Sequence, residues 1–136
     1  MTQMKPLPTP TPETQPYWDS CKSHAMKLPR CKSCSQFHFY PRALCPHCWS
    51  MDLEWITASG KGKIYSYVIS HRPAPGFQDD VPYIIGVVEL DEGVRLMTNI
   101  VGIIPEPNNI WVGMEVSVEY DDVSDSITLP TYKPTQ

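Results

Sequence analysis

Four of the five cysteines in this chain fall into two Cys-x2-Cys pairs, Cys31/Cys34 and Cys45/Cys48, with ten residues between the pairs. Two thiolate pairs carried on two tight turns are what a tetrahedral, thiophilic ion requires. Backbone amides in such turns donate hydrogen bonds to sulfur, and Pro46 stiffens the second one. Zn2+ is the expected metal, with iron in a rubredoxin-type site as the competitor, because four thiolates accept either ion. Four thiolates leave no open coordination position for water or substrate, so the site is expected to be structural. Disulfides fit poorly with this spacing and with the reducing compartment argued below.

Other candidates for chemistry are weaker. Cys21 is expected to be a buried helix cysteine rather than a nucleophile, since no His or acid accompanies it at a recognisable offset. His47 lies between two thiol ligands, which outcompete it in softness and spacing. His24, His38 and His71 are scattered and read as surface or satisfied structural residues. The pairs Asp79-Asp80 and Asp121-Asp122 read as solvated turns. There is no G-x-S-x-G motif and no glycine-rich phosphate loop.

These side chains have to be positioned by a chain of 136 residues with 15 Pro and 19% charged residues, a composition suited to short strands and turns. The longest apolar stretch, Tyr83 to Leu90, is far shorter than the ~20 residues of a membrane span. Met1 to Thr14 lacks the apolar core of a secretory signal, so cytoplasmic localisation is expected. The net charge of -4 is uneven: residues 1–63 carry eight Lys/Arg and four acids, residues 64–136 three Lys/Arg and eleven acids. A long polyanion would be repelled over much of the second half, while one small anion could settle near the first.

Pro6, Pro8, Pro10 and Pro12 make an extended N-terminal arm over 1–13. A helix is expected over 14–28, with Thr14 as cap, Pro16 in the first turn, and Tyr17, Trp18, Cys21, Ala25 and Leu28 on one face; Pro29 ends it. The metal-binding ribbon follows over 29–52, its Phe37–Arg42 segment forming a connecting hairpin. From Ile56 the pattern turns to strands: Ile64–Ile69, Tyr83–Leu90, a hairpin turn at Asp91-Glu92-Gly93, Val94–Val101, Glu115–Tyr120, and a last strand Ser126–Leu129 stopped by Pro130. Short strands joined by short turns suggest a small closed barrel over 53–136.

The helix with Tyr17 and Trp18, Leu28-Pro29-Arg30-Cys31-Lys32-Ser33-Cys34, Tyr40-Pro41-Arg42 and Cys45-Pro46-His47-Cys48 together resemble the family of proteins with a rubredoxin-like zinc ribbon and an OB-fold. Gly60-Lys61-Gly62, Pro82-Tyr83, Leu90-Asp91-Glu92-Gly93-Val94, Asn99-Ile100-Val101-Gly102, Gly113-Met114 and Leu129-Pro130 agree in the second half. The resemblance implies a mainly β fold: N-terminal helix, zinc ribbon, then a C-terminal five-stranded OB-fold barrel.

It also implies a non-catalytic accessory subunit of an acyl-CoA-transforming complex, bound to a thiolase-fold partner as a hetero-oligomer and helping to form the acyl-CoA channel. Arg42, Lys61, Lys63 and Arg72 are then candidates to face CoA phosphates, and Phe77 and Tyr83 to wall the acyl chain or meet the partner. The segment from Arg72 to Pro82 is long for so compact a barrel, which points to the same use. The alternative is a single-stranded nucleic-acid-binding ribbon and barrel, which the acidic second half disfavours.

Overall fold

The computed structural model describes residues 6–135. Residues 6–10 follow no regular element, and the part of the expected arm before Pro6 lies outside the described residues. Helix α1 spans Gln15–Lys22, with Pro16 in its first turn and Tyr17, Ser20 and Cys21 buried. It is shorter than the expected 14–28. His24 takes a left-handed conformation (φ 58°), the Ala25 amide donates to the Ser20 carbonyl and the His24 amide to that of Cys21, a double bond pattern that closes a helix. Nor does Thr14 cap the helix with its side chain: its hydroxyl oxygen accepts from the Thr11 amide at 2.9 Å instead.

Leu28 and Pro29, expected at the end of the helix, belong to strand β1 (Lys27–Cys31), which pairs antiparallel with β2 (Leu53–Thr57) in a two-stranded sheet. Leu28 stands opposite Ile56, Pro29 opposite Trp55 and Cys31 opposite Leu53. Thus β2 begins before Ile56, and Leu53–Thr57 pairs with β1 rather than with a strand of the barrel. The ribbon emerges between two neighbouring strand ends. Within it Phe37 forms a single bridge with Arg30, and residues 38–42 form no strand, so the expected hairpin is reduced to that bridge. Phe39 turns toward the helix, its ring 5.2 Å from that of Tyr17.

The barrel contains β3 (Lys61–Ser70), β4 (Tyr83–Leu90), β5 (Arg95–Ile100), β6 (Glu115–Asp122) and β7 (Thr128–Pro134), closed in the order β3-β4-β5-β7-β6. This is the five-stranded barrel of an OB-fold. Burial alternates along β4, with Ile84, Gly86, Val88 and Leu90 inside, as a one-sided strand dictates. Gly93, at φ 92°, makes the β4–β5 turn possible. Gly62 permits a close strand approach: a Cβ there would lie 2.5 Å from the Glu89 carbonyl oxygen. A register shift between Ile64 and Ser66 leaves Tyr65 as a bulge residue, and the Arg95 guanidinium lies 3.8 Å from the centre of its ring.

β7 runs through Pro130 rather than stopping there. β5 and β7 register only through Ile100 and Tyr132, so the missing N–H of Pro130 costs no ladder bond on that side. The barrel core, including Ile64, Val88, Val116 and Tyr132, is continuous with Tyr17, Cys21, Met26 and Leu28. Met26 joins the two parts. Its sulfur accepts from the Tyr17 hydroxyl at 3.7 Å and the Tyr132 hydroxyl at 3.9 Å. Cys21 is fully buried beside them, and burial pushes its thiol up to about 11, as expected of an inert core cysteine.

Candidate metal centre and adjoining cleft

The two cysteine turns repeat one backbone design. In the first, Cys31 N–H donates to the Gln36 carbonyl and Ser35 N–H to that of Cys31; in the second, Cys45 N–H donates to Ser50 and Trp49 N–H to Cys45. The residue after the second cysteine of each pair is left-handed, Ser35 at φ 65° and Trp49 at φ 68°. Each turn also aims an amide at sulfur: Cys34 N–H at Cys31 Sγ (3.4 Å) and His47 N–H at Cys45 Sγ (3.3 Å). The Ser33 and Ser50 hydroxyls tie the turns together at 2.9 Å.

The four Sγ atoms lie within 4.8 Å of one another, with Cys31–Cys48 at 3.5 Å and Cys34–Cys45 at 3.7 Å. A metal with bonds of ~2.3 Å to four tetrahedral thiolates sets sulfurs about 3.8 Å apart, so the donor set fits such an ion. The thiols cannot all ionise unaided. The Cys34 amide, first, holds Cys31 down to about 6. Cys48 is raised to about 12: the Ser50 amide favours its thiolate, but crowding by Cys31, Cys34 and Cys45, with burial, outweighs it. A bound cation would remove that repulsion.

His47 does not join the sulfurs; its Nε2 donates to the Phe37 carbonyl at 3.3 Å. His38 is a feature the sequence did not distinguish from an ordinary structural histidine. It is buried, neither ring nitrogen has a partner among the described residues, and burial first, then the Arg42 and His47 charges, holds it below the usual imidazole range.

The six remaining candidates are not gathered into one place. Phe77 and Tyr83 meet, with ring centres 5.4 Å apart, and the Tyr83 hydroxyl accepts from the Ala74 amide at 3.2 Å. Arg72 opens this same loop, just beyond the end of β3. Lys61 and Lys63 stand at the opposite end of β3, where Lys63 borders a hollow with Trp111 and Glu115. Arg42 is on the ribbon. Phe77 and Tyr83 line a cavity of about 610 Å³ at the barrel wall, with Ile84, Ile100 and Ile103 as further apolar surface and Asp80 and Asp121 also in its lining. A second cleft of about 280 Å³ runs between α1, Phe39-Tyr40 and the β5–β7 face. This second cleft has no signature in the sequence, because its walls come from three distant segments. Among the described residues no helix is long and apolar enough to cross a membrane.

Comparison with known proteins places these features. Residues 18–54 match the ChsH2 rubredoxin-like zinc ribbon domain and residues 55–121 the ChsH2 C-terminal OB-fold domain. The chain is 35% identical over 132 residues to the probable enoyl-CoA hydratase alpha subunit of Thermomonospora curvata, covering 96% of this chain and 40% of that protein, so it spans about two fifths of that relative's length. It is 30% identical over 107 residues to the benzoylsuccinyl-CoA thiolase subunit BbsA of Thauera aromatica, covering 76% of this chain and 71% of that one. A chain of the solved Ltp2-ChsH2(DUF35) aldolase superimposes with a TM-score of 0.85 at 33% identity, over 96% of this chain and 100% of that chain. Both domains match in order and a solved relative is followed along its whole length: the chain belongs to the ChsH2-type DUF35 family, a rubredoxin-like zinc ribbon followed by an OB-fold.

Proposed function

We propose that this protein is an accessory subunit of an acyl-CoA-transforming complex, docked on a thiolase-fold enzyme that supplies the catalytic groups. The observation that carries this reading is the whole-length likeness to the DUF35 chain of an aldolase, at 33% identity. The likeness to a subunit of benzoylsuccinyl-CoA thiolase supports it. The chain's own chemistry is in keeping: among the described residues, the one cluster of metal-ligating side chains is the four-cysteine group, which leaves a tetrahedral ion no open position.

In this reading Cys31, Cys34, Cys45 and Cys48 hold Zn2+, and the ion supplies folding energy to a segment with little core of its own. The loop carrying Phe77 and Tyr83 contributes apolar wall to the acyl-CoA channel. With Asp80 and Asp121 in the same lining, that cavity suits the acyl or pantetheine portion better than phosphate. Lys61 and Lys63, at the far end of β3, and Arg42, on the ribbon, would meet the phosphates or the partner separately from it. Arg72 adjoins the apolar end.

The test is recovery of the tagged chain from its native source. The expected companion is a thiolase-fold enzyme whose turnover of acyl-CoA falls when this subunit is stripped away and returns when it is added back. Emergence of the chain alone, turnover of acyl-CoA by the isolated chain, or tight salt-sensitive binding to single-stranded nucleic acid in place of a partner would each overturn the reading.

A further inference from the structure

The barrel has a seam. β5 and β7 register through Ile100 and Tyr132 alone, where Val101 N–H also donates to the Tyr132 carbonyl at 2.8 Å. Before that point the residues Leu96–Asn99 face Leu129–Thr131 with no paired register, and the Thr98 hydroxyl reaches across to the Pro130 carbonyl at 3.0 Å. The two cavities described above lie along this seam and share Asn99, Leu129 and Thr131, so they adjoin as two parts of one groove walled by the same residues.

The N-terminal arm follows that groove. Pro6 and Leu7 line the larger cavity and Thr14 lines the smaller, with Pro8 and Pro10 half-buried between them. Residues 6–10 follow no regular element, and the chain turns into α1 over residues 11–14, where Thr14 N–H donates to the Thr11 carbonyl at 3.0 Å. Four of the seven residues from Pro6 to Pro12 are prolines and carry no N–H. Such a segment cannot zip onto the open side of β5 as an extra strand. It covers the edge through apolar contact, so leaving it breaks no strand ladder.

We infer that residues 6–13 form a displaceable strap over this groove, which opens to admit an elongated, neutral apolar chain. Leu7 is the point of purchase, and Asp80 and Asp121 set the sign of the rim. Leu7 is 39% exposed, and a carboxylate in its place would give up the apolar contact and add a charge of the same sign as Asp80 and Asp121 in that lining. The larger cavity is the one assigned above to the acyl portion, so the inference rests on that part of the accessory-subunit reading, while the dye measurement needs neither partner enzyme nor CoA and so can fail without the partner reading failing.

The test uses the full metal-loaded chain and Nile red, an uncharged apolar dye, followed by stopped-flow fluorescence. The expected result is that Leu7→Asp speeds both association and dissociation of the dye about tenfold, with near-ultraviolet circular dichroism and metal content unchanged. Ile103→Arg, which puts a long charged side chain into the cavity, is expected to abolish dye binding in either background and so locate the dye. Absence of dye binding to the parent chain overturns the inference, as does binding that survives Ile103→Arg. Rates unchanged by Leu7→Asp would mean that the arm does not gate the groove. Loss of binding with no faster exchange would mark the arm as a fixed wall rather than a strap.

Discussion

His24 Nε2 lies 3.0 Å from Asp122 Oδ1, joining the segment after α1 to the end of β6 across 98 residues of sequence. A carboxylate only accepts, so His24 carries its proton on Nε2 in this contact. The link is the middle rung of three. Lys22 Nζ donates to the Ser124 carbonyl at 3.4 Å, and the Met26 amide donates to the Tyr120 hydroxyl at 2.8 Å. The His24 ring also stacks on Tyr120, with centres 4.9 Å apart. Two segments with no ladder between them are thus held in antiparallel order largely by side chains.

This latch predicts a pH dependence. The Thr128 hydroxyl, first, and His24, second, hold the Asp122 carboxyl below its ordinary value. A carboxyl with a folded pKa below its unfolded one contributes stability that is fully present above the unfolded value, about 4, and is lost as pH falls through the folded one. Asp122→Asn should therefore lower the melting temperature at pH 7, and the gap to the parent should close as pH falls below about 4. Paired thermal melts read the gap; one that fails to close below about pH 4 would contradict the assignment.

Cys31→Ser should remove the bound metal and unfold the ribbon, because structural zinc binding is itself folding free energy of order 10 kcal/mol. Elemental analysis is expected to fall from one zinc per parent chain to none. Zinc retained at full stoichiometry, or iron found in its place, would revise the metal assignment. A chelator should have the same effect on the parent chain.

Gly62→Ala tests the strand contact in the barrel. The added methyl would meet the Glu89 carbonyl oxygen and Val88 Cγ1, at 2.5 and 2.9 Å, and backbone cannot retreat as a side chain tip can. A loss of about 2 kcal/mol in denaturant unfolding is expected. An unchanged midpoint would show that β3 and β4 part more easily than their register implies.

Phe77→Ala separates fold from docking. Phe77 is half-buried on a loop outside the barrel ladder, so the melting temperature should hardly move. Affinity for the partner enzyme should weaken about tenfold or more if the ring is an interface anchor, measurable by calorimetry with the purified partner. Equal affinity would remove this loop from the interface.

The cysteine constellation was legible because its spacing is itself the chemistry: two short turns with two thiols each leave few other uses. The alternation in β4 and the Asp-Glu-Gly turn were equally readable, being local. Leu28 and Pro29 were misplaced because helical periodicity and a terminating proline suit the end of a helix as well as a short buried strand. The choice was made by β2, which lies on the far side of the ribbon. Pro130 misled for a related reason, since proline ends a strand only where its own N–H would have to bond a neighbouring strand, and residue 130 has no register with β5. The groove along the seam was invisible for want of any motif, its walls coming together only when the barrel closes.

The strand pair Leu28–Ile56 and Cys31–Leu53 means that the chain leaves for the metal centre and returns from it at adjacent points. Everything between is therefore a cassette on a two-stranded stem. Its length and surface can vary on that stem so long as Phe39 still meets Tyr17, the point at which the cassette touches the helix.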